Sequence, residues 1–225
     1  MDIVQGCGTC ALPHLPADKG EEVESRPCRY LDPLATGVMI VCTGKATKRI
    51  EEFQYHTKEY VATIRLGATT PSYDLEHELD ATYPTEHITR GLVEETLKKF
   101  IGEIQQVPPA FSACMVNGKR AYDLARKGEE VELKPKLLVI DEIELLDDGL
   151  DIAEPWIKVR VVCSKGTYIR ALARDIGEAL QSGAHLTALE RTRVGDVRLA
   201  DCSIPSISKM DRGAGDRYLV ISYEL

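Results

Sequence analysis

The sequence predicts an α+β fold, with a mixed and mostly antiparallel sheet flanked by helices. Segments that alternate apolar and polar residues, as half-buried strands do, stand beside segments with the spacing of amphipathic helices. These segments do not follow the regular strand–helix–strand order that predicts a parallel sheet. With 225 residues, 44% of them hydrophobic, the chain is long enough for one substantial core and short for two. We therefore expect one globular domain, over residues 31–200.

The start of the chain shows neither a strand nor a helix pattern. Residues 1–30 are rich in glycine and proline and keep no sustained period, which predicts a loop-like or poorly ordered segment. Cys7 and Cys10 have the CxxC spacing of some zinc and redox sites, but no second pair is near to complete a zinc site. The role of these two cysteines stays open, and accidental spacing is the simpler interpretation.

The elements that follow are predicted from hydrophobic periodicity and from glycine and proline at the ends of segments. Up to residue 102 they are a buried strand at 38–42, a helix-like segment at 45–53, a half-buried strand at 60–66, a long polar loop at 67–88, and an amphipathic helix at 92–101 that Gly102 ends. After it come a short basic helix at 119–127, strands at 137–146 and 156–163, a helix with the apolar stripe Ile169, Leu172, Ala173, Ile176 and Leu180, and an irregular tail at 201–225.

The charge of the chain is unevenly distributed. The formal net charge of −8 argues, by itself, against a nucleic-acid partner, because Lys and Arg supply most of the affinity for phosphates. However, residues 158–198 carry eight basic and four acidic residues, a local charge of +4, whereas residues 129–154 carry ten acidic residues and two lysines, a local charge of −8. This asymmetry predicts one basic and one acidic face, with ordinary surface charge as the alternative.

Several classes of protein are excluded by what the sequence lacks. It has no apolar run long enough to span a membrane and no basic-then-apolar start, so we expect a soluble cytoplasmic protein with reduced cysteines. The motifs HExxH, GxxxxGK[ST], GxGxxG and GxSxG are absent. His56, His77, His87 and His185 have no ligand spacing and are expected to be surface or satisfied histidines. The sequence therefore gives no reason to invoke a metal, nucleotide or flavin cofactor.

Three positions are candidates for chemistry, and each has a simpler structural interpretation. Asp32 precedes a proline, which favours an extended or turn conformation, and it could merely begin a turn before the strand. Tyr60 opens an alternating strand and could be a core tyrosine. Arg170 and Arg174 are one helical turn apart near a helix start, where anions are favoured, or they could form a solvated basic face.

A set of motifs in sequence order resembles the TruB family of tRNA pseudouridine synthases. The first is Leu31-Asp32-Pro33-Leu34-Ala35-Thr36-Gly37, which is similar to the catalytic motif of that family. Further similar blocks are Lys58-Glu59-Tyr60, Leu66–Thr70, Pro108–Ala113, Gly118–Tyr122, Lys165–Arg170 and Arg191–Gly195. One such motif would be weak evidence, but this many over residues 31–198 make a strong resemblance to the pseudouridine-synthase catalytic fold.

The resemblance implies a function and a set of site residues. It implies that the chain isomerises uridine 55 in the T loop of tRNA to pseudouridine without a cofactor. A monomer would suffice for a site built within one chain, and a monomer is therefore expected. Asp32 would be the nucleophile, Tyr60 would stack on the flipped base, and Arg170 would pair with the Asp32 carboxylate. The substrate contacts that the resemblance implies are Tyr168, Leu189, Lys45, Lys48, Lys58, Lys119 and Arg120, the basic ones toward the T-arm backbone.

The chain also departs from the family pattern. Pro27 stands where the family usually has a histidine, residues 1–25 match nothing in it, and Met115 replaces a usual lysine. After residue 200 we expect an irregular tail and not the PUA domain that many members of that family carry. These departures keep a second hypothesis open, in which the chain is a catalytically weak or inactive protein that binds tRNA and assists its folding.

Overall fold

The computed structural model describes residues 25–27, 32, 34–112, 114–116, 118–125, 133–201 and 217–223. The pair Cys7 and Cys10, and most of the segments predicted to be loop and tail, lie outside these residues. The chain divides into two compact units, one formed by residues 1–58 and 190–225 and the other by residues 59–189. The domain boundaries near residues 30 and 200 stay predictions, because much of the chain around them is outside the described part.

The secondary structure confirms the α+β class. The helices are α1 (Ile50–Tyr55), α2 (Arg90–Lys98), α3 (Ala121–Ala125) and α4 (Ile169–Ala179), with 3-10 turns at Gly44–Arg49 and Leu199–Asp201. The strands are β1 (Ser25–Pro27), β2 (Ala35–Thr43), β3 (Lys58–Leu66), β4 (Ala68–Thr69), β5 (Ala81–Thr82), β6 (Gly102–Gln106), β7 (Met115–Val116), β8 (Lys119–Arg120), β9 (Lys136–Gly149), β10 (Trp156–Cys163), β11 (Ala184–Val194), β12 (Val197–Arg198) and β13 (Arg217–Tyr223).

The first unit is built around strand β2. Strands β1 and β13 both pair with β2 in antiparallel register, and β12 pairs with the last residues of β11. The core consists of buried residues on β2 and the end of β11, with the 3-10 and helical segments packed on it. These residues are Val38, Ile40, Cys42 and Val194, with Ile50, Phe53, Val197 and Leu199 around them. The buried strand predicted at 38–42 is therefore confirmed.

The second unit contains the sheet order β11–β3–β10–β9–β6. Strand β10 pairs with β9, and β6 pairs with the other edge of β9, both antiparallel. In β3, Ala62, Ile64 and Leu66 are buried on one face, as the alternation of the sequence predicts. Antiparallel alignment of β11 with β3 follows from two hydrogen bonds, Gly67 N to Gly183 O at 2.8 Å and Thr187 Oγ1 to Thr63 O at 3.1 Å.

Helices α2 and α4 confirm the two amphipathic helices predicted from the sequence, but α2 ends earlier than predicted. Helix α2 starts after Thr89, whose hydroxyl accepts a hydrogen bond from the Leu92 amide at 3.3 Å. It ends at Lys98, so the prediction that Gly102 caps it was wrong. Gly102 has a φ of +100° but begins strand β6, and Ile101 is 50% exposed rather than part of the apolar stripe. No helix in the described part of the chain is long and apolar enough to cross a membrane.

The close approach of α4 to β11 predicts the effect of a glycine substitution. Gly177 has no room for a side chain, because an added Cβ would lie 2.6 Å from the Ala184 Cβ. We expect Gly177→Ala to lower the free energy of unfolding by about 1–3 kcal/mol through overpacking, although alanine usually favours a helix. Gly91→Ala in α2, where nothing lies within 4 Å, is the matched control and should not destabilise. Urea unfolding of both variants tests this, and equal effects would contradict it.

His185 predicts a pH dependence of stability. The side chain is buried in β11, and its Nδ1 lies 2.9 Å from the Ala68 carbonyl oxygen, with which it forms a hydrogen bond. Burial lowers the pKa of His185 below its ordinary value, so the folded state keeps it neutral. The unfolded chain binds the proton first, and this contribution to stability is lost as the pH falls below about 6.5. His185→Asn, which keeps a donor for Ala68, should flatten the slope of unfolding free energy against pH there, and an unchanged slope would contradict the assignment.

Candidate active site

Asp32 lies at a turn directly before strand β2. Its carbonyl oxygen accepts a hydrogen bond from the Ala35 amide at 2.8 Å, which closes the turn, and its side chain is half-buried. The strand then passes very close to β11, since a Cβ on Gly37 would lie 2.2 Å from the Arg191 carbonyl oxygen. Arg191 in turn donates from Nε to the Val38 carbonyl at 2.7 Å. The segment that follows Asp32 is thus tied to β11 within the first unit, and the turn predicted at Asp32 is confirmed.

The predicted RNA contact at Lys58 needs a correction. Lys58 is only 5% exposed, and its Nζ donates to the carbonyls of Gln54 at 2.6 Å and His56 at 2.5 Å. These carbonyls lie at the end of α1, where helices leave acceptors without intrahelical partners. A lysine buried in this way satisfies the helix end and does not offer its ammonium group to a phosphate.

The other basic residues predicted to contact RNA are described unevenly. Lys48 is exposed on the 3-10 turn that precedes α1. Lys45 is in the same turn, and Lys119 and Arg120 form β8, but these three side chains lie outside the described part of the structure.

Arg170 is the charged group around which two loops of the second unit converge. It is the second residue of α4 and is 5% exposed. Its Nη1 lies 3.2 Å from Asp74 Oδ2 and donates to the Ser72 carbonyl at 3.3 Å, while Nη2 donates to the Phe111 carbonyl at 3.0 Å. The interpretation of Arg170 as part of a solvated basic face was therefore wrong.

Asp74 is the site residue that sequence reasoning missed. Its carboxylate is buried and accepts from the Ser72 hydroxyl at 2.5 Å and from the Glu76 amide at 2.9 Å, besides pairing with Arg170. The Thr70 hydroxyl donates to the Asp74 carbonyl at 2.7 Å and accepts from its amide at 3.1 Å. The local signal for Asp74 in the sequence is a pair of hydroxyl residues, two and four positions before it, within the long polar loop.

Tyr73 gives this loop an unusual backbone. Its φ is +60°, in the left-handed region that costs a residue with a side chain about 1–2 kcal/mol. Two hydrogen bonds support this conformation, from the Tyr73 amide to the Thr70 carbonyl at 3.1 Å and from the Leu186 amide to the Tyr73 carbonyl at 2.9 Å. The residues on either side of Tyr73 are Ser72 and Asp74, so the bend at Tyr73 presents both to the same guanidinium nitrogen.

Tyr60, Leu189 and Tyr168 belong to the second unit. Tyr60 is half-buried near the start of β3, and Leu189 is 4% exposed on the neighbouring strand β11. The backbone of Tyr168 precedes α4 and is bound at both polar atoms by Gln106, whose Oε1 accepts from the amide at 2.9 Å and whose Nε2 donates to the carbonyl at 3.2 Å. Gln106, a second residue missed from sequence, thus fixes the start of the helix that carries Arg170.

The predicted basic face is smaller than the residue count indicates. Arg170 and Arg191 are buried, and Arg160 lies between three glutamates on neighbouring strands. Its guanidinium nitrogens are 2.7 Å from Glu142, 3.2 Å from Glu59 and 3.7 Å from Glu144, and the hydrogen bond to Glu142 contributes most to raising the pKa of Arg160. Two of the eight basic residues counted between 158 and 198 are therefore buried, and a third is held in ion pairs at a partly exposed position.

Comparison with known protein families matches this chain over most of its length. The TruB family pseudouridylate synthase N-terminal domain matches residues 28–169, and the tRNA pseudouridylate synthase B C-terminal domain matches residues 170–211. The chain belongs to the TruB family. The resemblance found in the sequence motifs is confirmed, and the motif that contains Asp32 falls inside the N-terminal match.

Curated relatives of this TruB-family chain have the name tRNA pseudouridine synthase B. The protein from Bacteroides thetaiotaomicron is 85% identical over 175 residues, which cover 78% of this chain and 73% of the relative. That from Bacteroides fragilis is 84% identical over 176 residues, covering 78% and 74%. A more distant relative from Flavobacterium johnsoniae is 56% identical over 166 residues, covering 74% and 71%.

Solved structures share the fold of this TruB-family chain. A chain in the crystal structure of a Cbf5-Nop10-Gar1 complex is 28% identical, with a TM-score of 0.56 over 78% of this chain and 41% of that one. A chain in an H/ACA RNP bound to a substrate RNA containing 2'-deoxyuridine is 26% identical, with a TM-score of 0.53 over 78% and 40%. This chain thus spans about two fifths of the length of both structural neighbours. These matches confirm the predicted pseudouridine-synthase fold.

The buried ion pair between Arg170 and Asp74 predicts a large loss of stability when Asp74 is neutralised. We expect Asp74→Asn to lower the free energy of unfolding by about 3 kcal/mol, because the buried guanidinium of Arg170 would lose the buried counter-charge of Asp74. The control is Asp148→Asn, which removes an ion pair with Arg90, whose side chain is 55% exposed. That loss should stay below about 1 kcal/mol. Urea unfolding measures both, and similar losses in the two variants would contradict the role given to Asp74.

Proposed function

We propose that this chain converts uridine to pseudouridine in tRNA, at position 55 of the T loop. The observation that carries the proposal is the 85% identity over 175 residues to a protein named tRNA pseudouridine synthase B. An H/ACA RNP bound to a substrate RNA, among the structural neighbours, adds support for an RNA substrate. The T-loop position comes from the resemblance of the motifs.

Asp32 is the nucleophile in this proposal. A carboxylate that attacks a ribose carbon must be ionised and must be held in one position. The turn closed by the Asp32 carbonyl and the Ala35 amide, directly before a buried strand, supports a fixed position for this residue. A side chain that is half-buried rather than enclosed also leaves room for a substrate to approach.

Arg170 pairs with the Asp32 carboxylate in this proposal, a role that the resemblance of the motifs implies. The fixed position of the Arg170 side chain supports this role, since Asp74, Ser72 and Phe111 each bind its guanidinium group. A planar guanidinium has five N–H donors, so it can serve these acceptors and a further carboxylate together, which a lysine could not do in the same geometry.

Tyr60 and Leu189 contact the uracil in this proposal. The target base must leave the stack of the T loop, which costs a few kcal/mol, and an aromatic face recovers part of that cost. Tyr60 supplies the face and assists removal of a proton from the base, while Leu189 lines the pocket. Their places on the adjacent strands β3 and β11 support a shared role.

The reaction conserves every atom of the substrate. The Asp32 carboxylate attacks ribose C1′, the bond between uracil N1 and C1′ breaks, and the uracil leaves with the electron pair. The base rotates, C5 bonds to C1′ and displaces the Asp32 carboxylate, the proton leaves C5, and N1 gains a proton. No oxidant, reductant or group donor is needed, so the protein must supply a nucleophile, a base-holding surface and protection from water.

Basic residues outside this centre bind the T-arm backbone in the proposal. Lys48, which is exposed, is the described member of the group, with Lys45, Lys119 and Arg120 as the others. The formal net charge of −8 makes such local contacts necessary, because the chain as a whole repels phosphates. One chain carries all the proposed residues, so a monomer is sufficient.

Pseudouridine formation tests the proposal directly. We expect the protein to modify position 55 of an unmodified tRNA transcript, detected by chemical derivatisation and primer extension. Asp32→Asn should lower the single-turnover rate by roughly four orders of magnitude or more, as removal of a nucleophile does elsewhere. Asp148→Asn, which neutralises an aspartate on strand β9, should leave the rate unchanged.

The two possible failures have different meanings. A folded protein that binds tRNA but forms no pseudouridine would support the alternative of a tRNA-binding and folding protein. Full activity in Asp32→Asn would keep the reaction but remove Asp32 as its nucleophile.

A further inference from the structure

We infer that Arg174 is a positioning residue that fixes the surroundings of Arg170, an inference that rests on the proposed function. Two loops of the second unit meet on α4, one formed by residues 70–77 and the other by residues 107–112. Arg170 and Arg174 are one helical turn apart, so their side chains leave the helix on the same face. Each of them contacts both loops.

Arg174 contacts the same two loops that Arg170 contacts. Arg170 binds the 70–77 loop through Ser72 and Asp74, and the 107–112 loop through the Phe111 carbonyl. The guanidinium of Arg174 lies over the ring of Tyr73, with 5.2 Å from its central carbon to the ring centroid, and its Nη2 donates to the Val107 carbonyl at 3.1 Å. Both loops are thus bound to α4 at two successive helical turns, by Arg170 and by Arg174, and this set of contacts is the clamp.

Arg174 is itself held by a neighbouring carboxylate. Its Nε and Nη2 donate to Asp175 Oδ1 at 2.8 and 2.7 Å, and Glu178 Oε1 lies 4.0 Å from Nε. Only 14% of the side chain is exposed. Burial by itself would lower the pKa of Arg174, but the hydrogen bond and the charge of the neighbouring Asp175 raise it, and the pKa lies above its ordinary value. The guanidinium therefore stays charged and oriented toward the loops, rather than toward a phosphate of the RNA.

Tyr73 is the link between the two arginines. It holds a left-handed backbone conformation between Ser72 and Asp74, the two residues that bind Arg170 Nη1. A cation over an aromatic face is attractive, so Arg174 stabilises the ring in the place that this conformation requires. Loss of Arg174 would let Tyr73 relax toward an ordinary conformation and would move both acceptors of Arg170.

This role predicts a change in the chemical step without a change in RNA affinity. We expect Arg174→Gln to lower the single-turnover rate of pseudouridine formation about tenfold, because Arg170 would lose its fixed orientation. The Kd for tRNA should change less than about twofold, since the Arg174 donors already bind protein acceptors. Arg174→Lys keeps the charge over Tyr73 but cannot make both of the hydrogen bonds that Nε and Nη2 donate to Asp175. It should therefore give an intermediate rate. The matched control is Arg90→Gln, an arginine with ion pairs on α2, which should behave as wild type.

Tyr73 provides a second and independent variant. Tyr73→Phe keeps the aromatic face and should keep the rate, whereas Tyr73→Leu should lower it as Arg174→Gln does. If the two residues act through one contact, the double variant Tyr73→Leu with Arg174→Gln should be no slower than either single variant. Additive losses would overturn the inference that Arg174 acts through Tyr73.

Hydrogen exchange distinguishes failure of this inference from failure of the proposed function. Arg174→Gln should speed exchange at the amides of Tyr73, Asp74 and Glu76 by about tenfold while α2 stays protected. This readout needs no activity, so it tests the clamp even if wild-type protein forms no pseudouridine. Unchanged exchange and an unchanged rate in folded Arg174→Gln would overturn the inference, as would a weaker Kd with an unchanged rate, which would make Arg174 an RNA contact.

Discussion

The second unit of this protein depends on one buried ion pair, between Arg170 on α4 and Asp74 in the 70–77 loop. Removing two charges from water is costly, and the cost is offset only where hydrogen bonds satisfy the atoms of both groups. Here Ser72 and Glu76 donate to the carboxylate, and the carbonyls of Ser72 and Phe111 accept from the guanidinium. Because these partners come from two loops and a helix, the pair can form only when all three are in place.

The framework around that pair is correspondingly rigid. Gln106 binds both backbone polar atoms of Tyr168 and so sets the start of α4, while Gly177 lets the other end of the helix approach Ala184. The sheet supports the loops as well, since the Leu186 amide on β11 binds the carbonyl of Tyr73. A site that must hold a nucleobase and a nucleophile in fixed relative positions needs such preorganisation, because a small displacement of the reacting groups slows the reaction strongly. The proposed clamp by Arg174 is part of the same framework.

Charged residues in this chain act inside the protein more often than its composition indicates. Lys58 satisfies the end of α1, Arg191 binds the backbone of β2, and Arg160 joins glutamates on the two strands β3 and β9. Each of these residues was counted from sequence as a possible contact for RNA or as part of a basic surface. The sequence does not distinguish a lysine or arginine that binds a carbonyl of its own chain from one that faces a phosphate. Accessibility separates the two cases, and accessibility is a property of the folded chain.

The fold class, the family, the main helices and four of the strands could be predicted from the sequence alone, because hydrophobic period and turn residues are local signals, whereas strand β11 was not predicted. The strand of Val38–Cys42, the alternation of Ala62, Ile64 and Leu66, and the apolar stripe of α4 all follow from such signals. Gln106 and the bend at Tyr73 could not be found in this way, because their partners lie far along the chain: Tyr168 is 62 positions from Gln106, and Leu186 is 113 positions from Tyr73. The hydroxyl residues before Asp74 are a local signal for a turn, but they do not reveal its pairing with Arg170. Which charges are buried, and what they bind, depends on the packing of segments that are distant in the sequence, so these features are visible only in the folded protein.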